Sequence, residues 1–344
     1  MAIVTLRLPD VKAAAEKRPA KCPHCGCCML QRWGNVSKAV IDPQLKWALI
    51  YRYRCTQCRK TFRDYPPGIT RAAQTDRMRF VCALIWKIGA SLRQTTGILG
   101  VWQRAVCHMT VWRDIQWAAL RRPAKTRVRV AGLDGFYTKL KGKEKGLMVL
   151  LDLGDGQPVE IAEVAEENAE TLLAWLLPLA EQYGLEVMVT DDLASYPVVT
   201  NALELKRQVC RFHALRWMML TLKECETTLG EPWQDTIDEI RRIIRTLPEN
   251  GPHLLHLLWK RILPLDGPRT PAALAVARLR LLVLKMGQNW SQYALFLAEE
   301  GVPTTNNATE RAIGRWRNRS KTTRGFKSLA GLVAAFRICN GMFA

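Results

Sequence analysis

A multidomain α+β chain is predicted by three observations. Two CxxC pairs, Cys22/Cys25 and Cys55/Cys58, lie near the start; helical periodicity follows a break at Pro66–Gly68; and from Val128 alternating β-rich segments pass into helix–strand alternation. With 344 residues, 48% of them hydrophobic, the chain can bury more than one core. The expected domains are a metal-stapled ribbon over 1–66, a helical unit over 67–125, a mixed-sheet domain beginning at 126–224, a helical insertion over 225–300, and the remainder of the sheet domain over 301–344.

In the ribbon, a CxxC pair lets two thiolates reach one tetrahedral zinc, and the alternating run ALIYRYRCTQCRKTFRDY supplies strand-like flanks. Cys22, Cys25, Cys55 and Cys58 are the favoured ligands of a structural Zn2+. Cys27, Cys28 and His24 crowd the first pair and leave its register open. Arg52, Arg54, Arg59, Lys60 and Arg63 decorate this module and suit phosphates.

In the next unit, TDRMRFVCALIWKIG reads as an amphipathic helix with Met78, Val81, Leu84 and Ile85 on one side. Ser91 caps a short helix ending at Gly100, and VWQRAVCHMTVWRDIQW reads as a longer one. Helix, turn, helix places the second of the pair in a DNA major groove, with Gln103, Arg104, His108 and Arg113 as candidate contacts. Any generic three-helix unit shows the same pattern.

Charge supports a polyanionic partner. The formal net charge is +20, and it is unevenly spread. Residues 1–130 carry 25 Lys and Arg against 6 acids, residues 131–300 carry 18 against 24, and residues 301–344 carry 8 against 1. Basic ends suit nucleic acid, whereas the acidic middle keeps carboxylates for another purpose. Eleven cysteines without an apolar leader predict a reduced cytosolic setting, and no apolar run reaches the roughly 20 residues of a membrane span.

The middle reads as three antiparallel strands (RVRVAGLDGFYTKL, GLMVLLDLG, QPVEIAEVAE), the helix NAETLLAWLLPLAEQYG, the strand LEVMVTDD, the helix SYPVVTNALEL and the strand KRQVCRFHALRW. That order is the one found in ribonuclease H-like folds. Asp134 ends the first strand, Asp191 ends the fourth, and Glu310 lies in TNNATERAIG at the start of a late helix. Asp192 is the alternative to Asp191. With Asn307 as N-cap, Glu310 would complete a capping box, which is the plainer reading of that residue alone.

Taken together, these residues resemble a bacterial insertion-sequence transposase of the DDE type, and Cys210 with His213 resembles the C-x-x-H signature of the Mutator-like branch. The resemblance implies a catalytic triad of Asp134, Asp191 and Glu310 binding two Mg2+ (or Mn2+) ions, with His213 as an active-site neighbour. It further implies a protein of the bacterial cytoplasm, associated with the nucleoid, that assembles as a dimer or larger on its element ends and target DNA. Oxygen donors suit such ions, and two of them roughly 4 Å apart serve both sides of a phosphodiester. Two lone ligands, Cys210 and His213, do not close a zinc site.

The segment from about Cys225 to Glu300 is helical in pattern, an all-helical insertion whose Trp233, Trp259 and Trp290 read as core. Beyond Glu310, Arg311, Arg315, Arg317, Arg319, Lys321, Arg324 and Lys327 crowd a stretch too dense in charge for a core-facing helix, and the first six are expected to face DNA. The expected function is element-end cleavage that frees a 3′-hydroxyl, followed by its joining to target DNA. A DNA-binding regulator descended from a transposase and a structure-selective nuclease of the same fold are the alternatives.

Overall fold

The computed structural model describes residues 8–101, 106–121, 125–265, 270–323 and 325–341. The chain divides into two compact units, Met1–Pro123 with Arg315–Ala344, and Ala124–Gly314.

In the first unit, β1 (Leu30–Ala39), β2 (Trp47–Cys55) and β3 (Thr61–Asp64) form an antiparallel sheet in that order. A β-bulge interrupts β1 between Arg32 and Asn35, where Gly34 takes φ +108°. The strand pair buries opposite faces on the two sides of this bulge. On one side of the bulge Ala48 and Ile50 pack with Val11, Val40 and Ile69; on the other Tyr53 and Cys55 pack with Cys22 and Leu30. One hairpin thus serves two small cores, the second built around the cysteines.

Helix α1 (Asp76–Lys87) is capped by Thr75, whose hydroxyl oxygen accepts from Met78 N at 3.2 Å. Its buried side holds Met78, Cys82, Ile85 and Trp86, so the apolar stripe is rotated from the expected one, and Val81 and Leu84 are only half-buried. Helix α2 (Leu92–Val101) begins with a reciprocal capping box: Gln94 N donates to Ser91 Oγ (3.2 Å) and Ser91 N to Gln94 Oε1 (2.8 Å). Helix α3 (His108–Leu120) starts later than the sequence pattern predicted, because Val101 closes α2. Gln103 and Arg104 lie outside the described residues.

The second unit holds β4 (Val130–Leu140), β5 (Lys143–Asp152), β6 (Pro158–Ala162), α4 (Ala169–Tyr183), β7 (Val187–Thr190), α5 (Ser195–Ala202) and β8 (Lys206–Val209). The strand order is β6-β5-β4-β7-β8, with β4–β5 and β5–β6 antiparallel and β4–β7 and β7–β8 parallel. A mixed five-stranded sheet in this order is consistent with a ribonuclease H-like fold. One face buries Leu133, Met148, Leu150 and Met188 against Leu172, Leu176 and Tyr196. The other packs Val130, Val187 and Val189 against Val302.

One expected strand is half helix. KRQVCRFHALRW leaves the sheet at Val209, where Cys210 N closes the ladder on Thr190 O (2.7 Å), and α6 (Arg211–Leu229) begins at once, with Ala214 N donating to Cys210 O (3.0 Å). A short apolar run carries no periodicity that separates the two states. The helices therefore start at Arg211 rather than near Cys225, and continue through α7 (Gln234–Thr246), α8 (Gly251–Arg261), α9 (Pro271–Gln288) and α10 (Trp290–Ala298). Ile237, Ile240, Ile243 and Ile244 repeat at helical spacing and meet Leu255, Leu279 and Val283 in a separate core, with Trp233, Trp259 and Trp290 packed against it.

Helix α11 (Asn307–Ser320) carries Glu310, and the division between the two compact units falls within it. In the first unit, α12 (Leu329–Gly341) packs on α3, with Gly331 pressed against Trp112, where a Cβ would lie 2.7 Å from Cζ2. Arg319 is a correction to the expected DNA-facing row. It is 5% exposed, donates from Nε to Trp86 O and from Nη2 to Ala90 O (both 2.8 Å), and lies over the Trp86 ring. Its charge is spent on helix-end carbonyls. The basic helix does contribute to a core, through Trp316 stacked on Phe326. Among the described residues, no helix is long and apolar enough to cross a membrane.

Candidate active site

The parallel strands β4 and β7 pair as far as Gly132 and Val189, and each chain segment carries an acid two residues beyond that pairing. Asp134 lies within β4 and Asp191 follows the last residue of β7. Asp134 Oδ1 accepts from Gly135 N at 2.8 Å. Burial, reinforced by the charges of Asp191, Glu166 and Glu310, pushes its carboxyl up to about 7. Asp191 is likewise raised by burial, with the His213 charge opposing and the Glu310 charge adding. Burial and mutual charge work against their ionising together, and carboxylate oxygens are donors of the kind that suits a hard divalent cation.

Glu310 is held in place by the residues just before its helix. Asn306 Nδ2 donates to Leu133 O on β4 (2.9 Å), Asn306 Oδ1 accepts from Thr309 Oγ1 (2.6 Å), and Asn306 N donates to Cys210 Sγ (3.3 Å). The close approach to β4 requires Gly132, where a Cβ would lie 2.3 Å from Thr309 Oγ1 and 2.4 Å from Asn306 Oδ1. The residue before α11 is Asn306, not Asn307, so Glu310 stands one position beyond that of a capping box. Its Oε1 instead lies 2.9 Å from His213 Nε2. The same Nε2 is 3.8 Å from Asp191 Oδ2. His213, on the first turn of α6, thus joins two of the three acids.

Asp192 points elsewhere. Its Oδ2 accepts from Lys285 Nζ (2.6 Å) and Tyr293 Oη (3.2 Å), and its Oδ1 lies 3.7 Å from Arg207 Nη2. Arg207, 5% exposed, donates to Thr190 Oγ1 (2.9 Å), Gln292 Oε1 (2.8 Å) and the backbone oxygen of Asp191 (2.6 Å). The helical insertion is thereby tied to the backbone that carries Asp191. Nor does Asp192 cap the helix after it, since α5 has no side-chain cap bond.

A fourth acid was missed by sequence reasoning. Glu166, ahead of the Asn168 cap of α4, is bonded by the Tyr196 hydroxyl, and burial raises its carboxyl. A Cβ at position 135 would lie 2.4 Å from Glu166 Oε2, so Gly135 makes room for it beside Asp134. The signal available was that glycine next to the strand acid.

In the ribbon, the sulfurs of Cys22, Cys25, Cys55 and Cys58 all lie within 4.8 Å of one another. Cys22 to Cys58 is 3.8 Å and Cys25 to Cys55 is 3.6 Å. Tetrahedral zinc with Zn–S of about 2.3 Å sets its sulfurs roughly 3.8 Å apart, so the four residues fit this ion. Cys27 accepts instead from Met29 N (3.3 Å), and His24 lies edge-on to Phe62.

Of the other expected contacts, His108 and Arg113 on α3 and Arg311, Arg315, Arg317 and Lys321 on α11 and just beyond it are exposed. Arg315 also donates to Asn340 Oδ1 (2.7 Å). Arg324 lies outside the described residues.

Residues 165–334 match the family model "Transposase IS66 family". The matched segment contains Glu166, Asp191, His213 and Glu310, while Asp134 and the ribbon precede it. The match does not extend to the Mutator-like branch that Cys210 and His213 resemble. No curated protein matches the chain. Among solved structures, the chain is similar to the catalytic core domain of BIV integrase, at 12% identity and a TM-score of 0.20, covering 55% of this chain and 98% of that one. It is also similar to the Drosophila P element transposase strand transfer complex, at 10% identity and a TM-score of 0.29, covering 76% of this chain and 78% of that one.

Proposed function

We propose that the chain is a DDE-type DNA transposase that binds the ends of its element, cleaves the DNA there and joins the freed 3′-hydroxyl to target DNA. One observation carries the reading: acids from β4, the end of β7 and α11 converge, with a histidine bonded to one of them, where burial and mutual repulsion raise Asp134 to about 7. The match to the transposase family model supports it.

Asp134, Asp191 and Glu310 would hold two Mg2+ or Mn2+ ions, which supply charge stabilisation to both the attacking and the leaving oxygens of an in-line displacement. His213 would hold the Glu310 carboxylate through Nε2 and act as a neighbour of the scissile phosphate. Glu166 would place a further carboxyl beside Asp134, held by the Tyr196 hydroxyl. Exposed Arg311, Arg315, Arg317 and Lys321 would bind backbone phosphates, which positions DNA without reading its sequence. Exposed His108 and Arg113 on α3, in a helix-turn-helix role, would read the element ends, and the zinc-stapled ribbon would add phosphate contacts. Two ends handled together call for a dimer or larger assembly on DNA.

The test is cleavage and strand transfer on DNA carrying both element ends. The wild-type chain with Mg2+ should give nicked ends and joined products. Asp134→Asn should give neither while binding the same DNA within about threefold of wild type. Cleavage without joining would identify a nuclease, and binding without cleavage by wild type a regulator.

A further inference from the structure

Sequence spacing offered only Cys210 and His213 as a pair. Folding adds a third donor, because the end of β7 and the first turn of α6 meet: a carboxylate oxygen of Asp191, the Cys210 sulfur and a ring nitrogen of His213 all lie within 4.8 Å of one another. Cys210 is fully buried and its Sγ is fixed by the backbone N–H of Asn306 (3.3 Å), whereas the side chains of Asp191 and His213 are each 35% exposed and open the cluster to solvent.

We propose that Asp191, Cys210 and His213 form a site for a thiophilic transition ion of the Zn2+ class, distinct from the ribbon and overlapping the carboxylate centre, whose occupation excludes the Mg2+-loaded state. Three protein donors of mixed sulfur, nitrogen and oxygen type with an open fourth position suit zinc, at ligand separations of roughly 3.3–3.8 Å. His213 Nε2 and Asp191 Oδ2, 3.8 Å apart, already stand at the upper end of that range. Magnesium gains nothing from a thiolate, so Cys210 makes the selection. On binding, the Cys210 thiol gives its proton to solvent and the sulfur takes the metal; no bond to carbon changes. Asp191 is then withdrawn from the carboxylate centre and His213 Nε2 from Glu310. The inhibitory consequence rests on the transposase reading; the metal site itself does not.

The experiment uses the full chain with the ribbon first filled by one equivalent of Zn2+, titrated with Co2+ in excess Mg2+. Wild type should take one further equivalent and develop a near-ultraviolet sulfur-to-cobalt charge-transfer band. Cys210→Ser should weaken that binding at least about tenfold and lose the band. In parallel, Zn2+ should inhibit Mg2+-dependent end cleavage, and Cys210→Ser should raise the inhibitory concentration at least about tenfold over wild type, each protein being normalised to its own rate in Mg2+ without Zn2+. If Cys210→Ser does not fold, Cys210→Ala read by the cobalt band alone gives the same answer. No second equivalent in wild type, or a band that survives the substitution, overturns the proposal. A band without any DNA cleavage keeps the site and removes the transposase reading.

Discussion

Asp134 is the residue where protein physics and proposed chemistry meet most directly. Burial raises its carboxyl to about 7, with Asp191, Glu166 and Glu310 adding to the effect. A raised carboxyl is protonated below that pH, and a metal must then displace the proton. Divalent-ion binding should therefore weaken as pH falls through about 7, by about tenfold per unit for one displaced proton, as calorimetric Mn2+ titration between pH 8 and pH 6 would read. A flat profile would mean that Asp134 is ionised throughout. Arg207 gives a second residue-scale prediction. Because it joins the Asp191 backbone oxygen to Gln292, Arg207→Lys should weaken Mg2+ half-saturation of cleavage several-fold while leaving DNA affinity unchanged. Restoration of activity at higher Mg2+ would separate positioning from simple loss of fold.

Elements place these residues through close approaches that only glycine permits. Gly132→Ala puts a Cβ into Asn306 and Thr309, the residues that seat α11, and should cost about 1–3 kcal/mol and most of the cleavage activity. Thermal melting beside end cleavage checks both, and retention of full activity would show that α11 is not held as described. Gly251→Ala, against Trp290 in the helical insertion, should cost similar stability yet spare metal binding. The sheet was legible at this scale because each strand alternates or is bounded by turn residues. Asp134 and Asp191 were legible because each sits in an apolar strand or at its end. The start of α6 was not, since KRQVCRFHALRW has no period that distinguishes helix from strand. Arg319 was misread because local charge density says nothing about carbonyls contributed by Trp86 and Ala90, more than two hundred positions away. Glu166 was missed for the same reason: its neighbours Gly135 and Tyr196 are distant in sequence, and Gly135 alone does not say which acid it makes room for.

At the scale of the whole molecule, composition and fold point the same way. The net charge of +20 is concentrated in residues 1–130 and 301–344, and the acids that converge lie in the less basic middle together with Glu310. DNA affinity should fall steeply with salt, as expected when many lysines and arginines displace counterions, and filter binding between 50 and 200 mM salt would show at least about a hundredfold loss. Two donor sets stand apart in this chain: four thiols that fit zinc lie in a module with small cores, while the carboxylates would suit hard divalent ions. The central claim is that three acids far apart in sequence share those divalent ions, and the most direct measurement is Mn2+ stoichiometry by electron paramagnetic resonance on the zinc-loaded protein bound to element-end DNA. Two strongly bound Mn2+ per chain in wild type, falling in each of Asp134→Asn, Asp191→Asn and Glu310→Gln, is the predicted result. Unchanged binding in any one of the three would contradict the shared site.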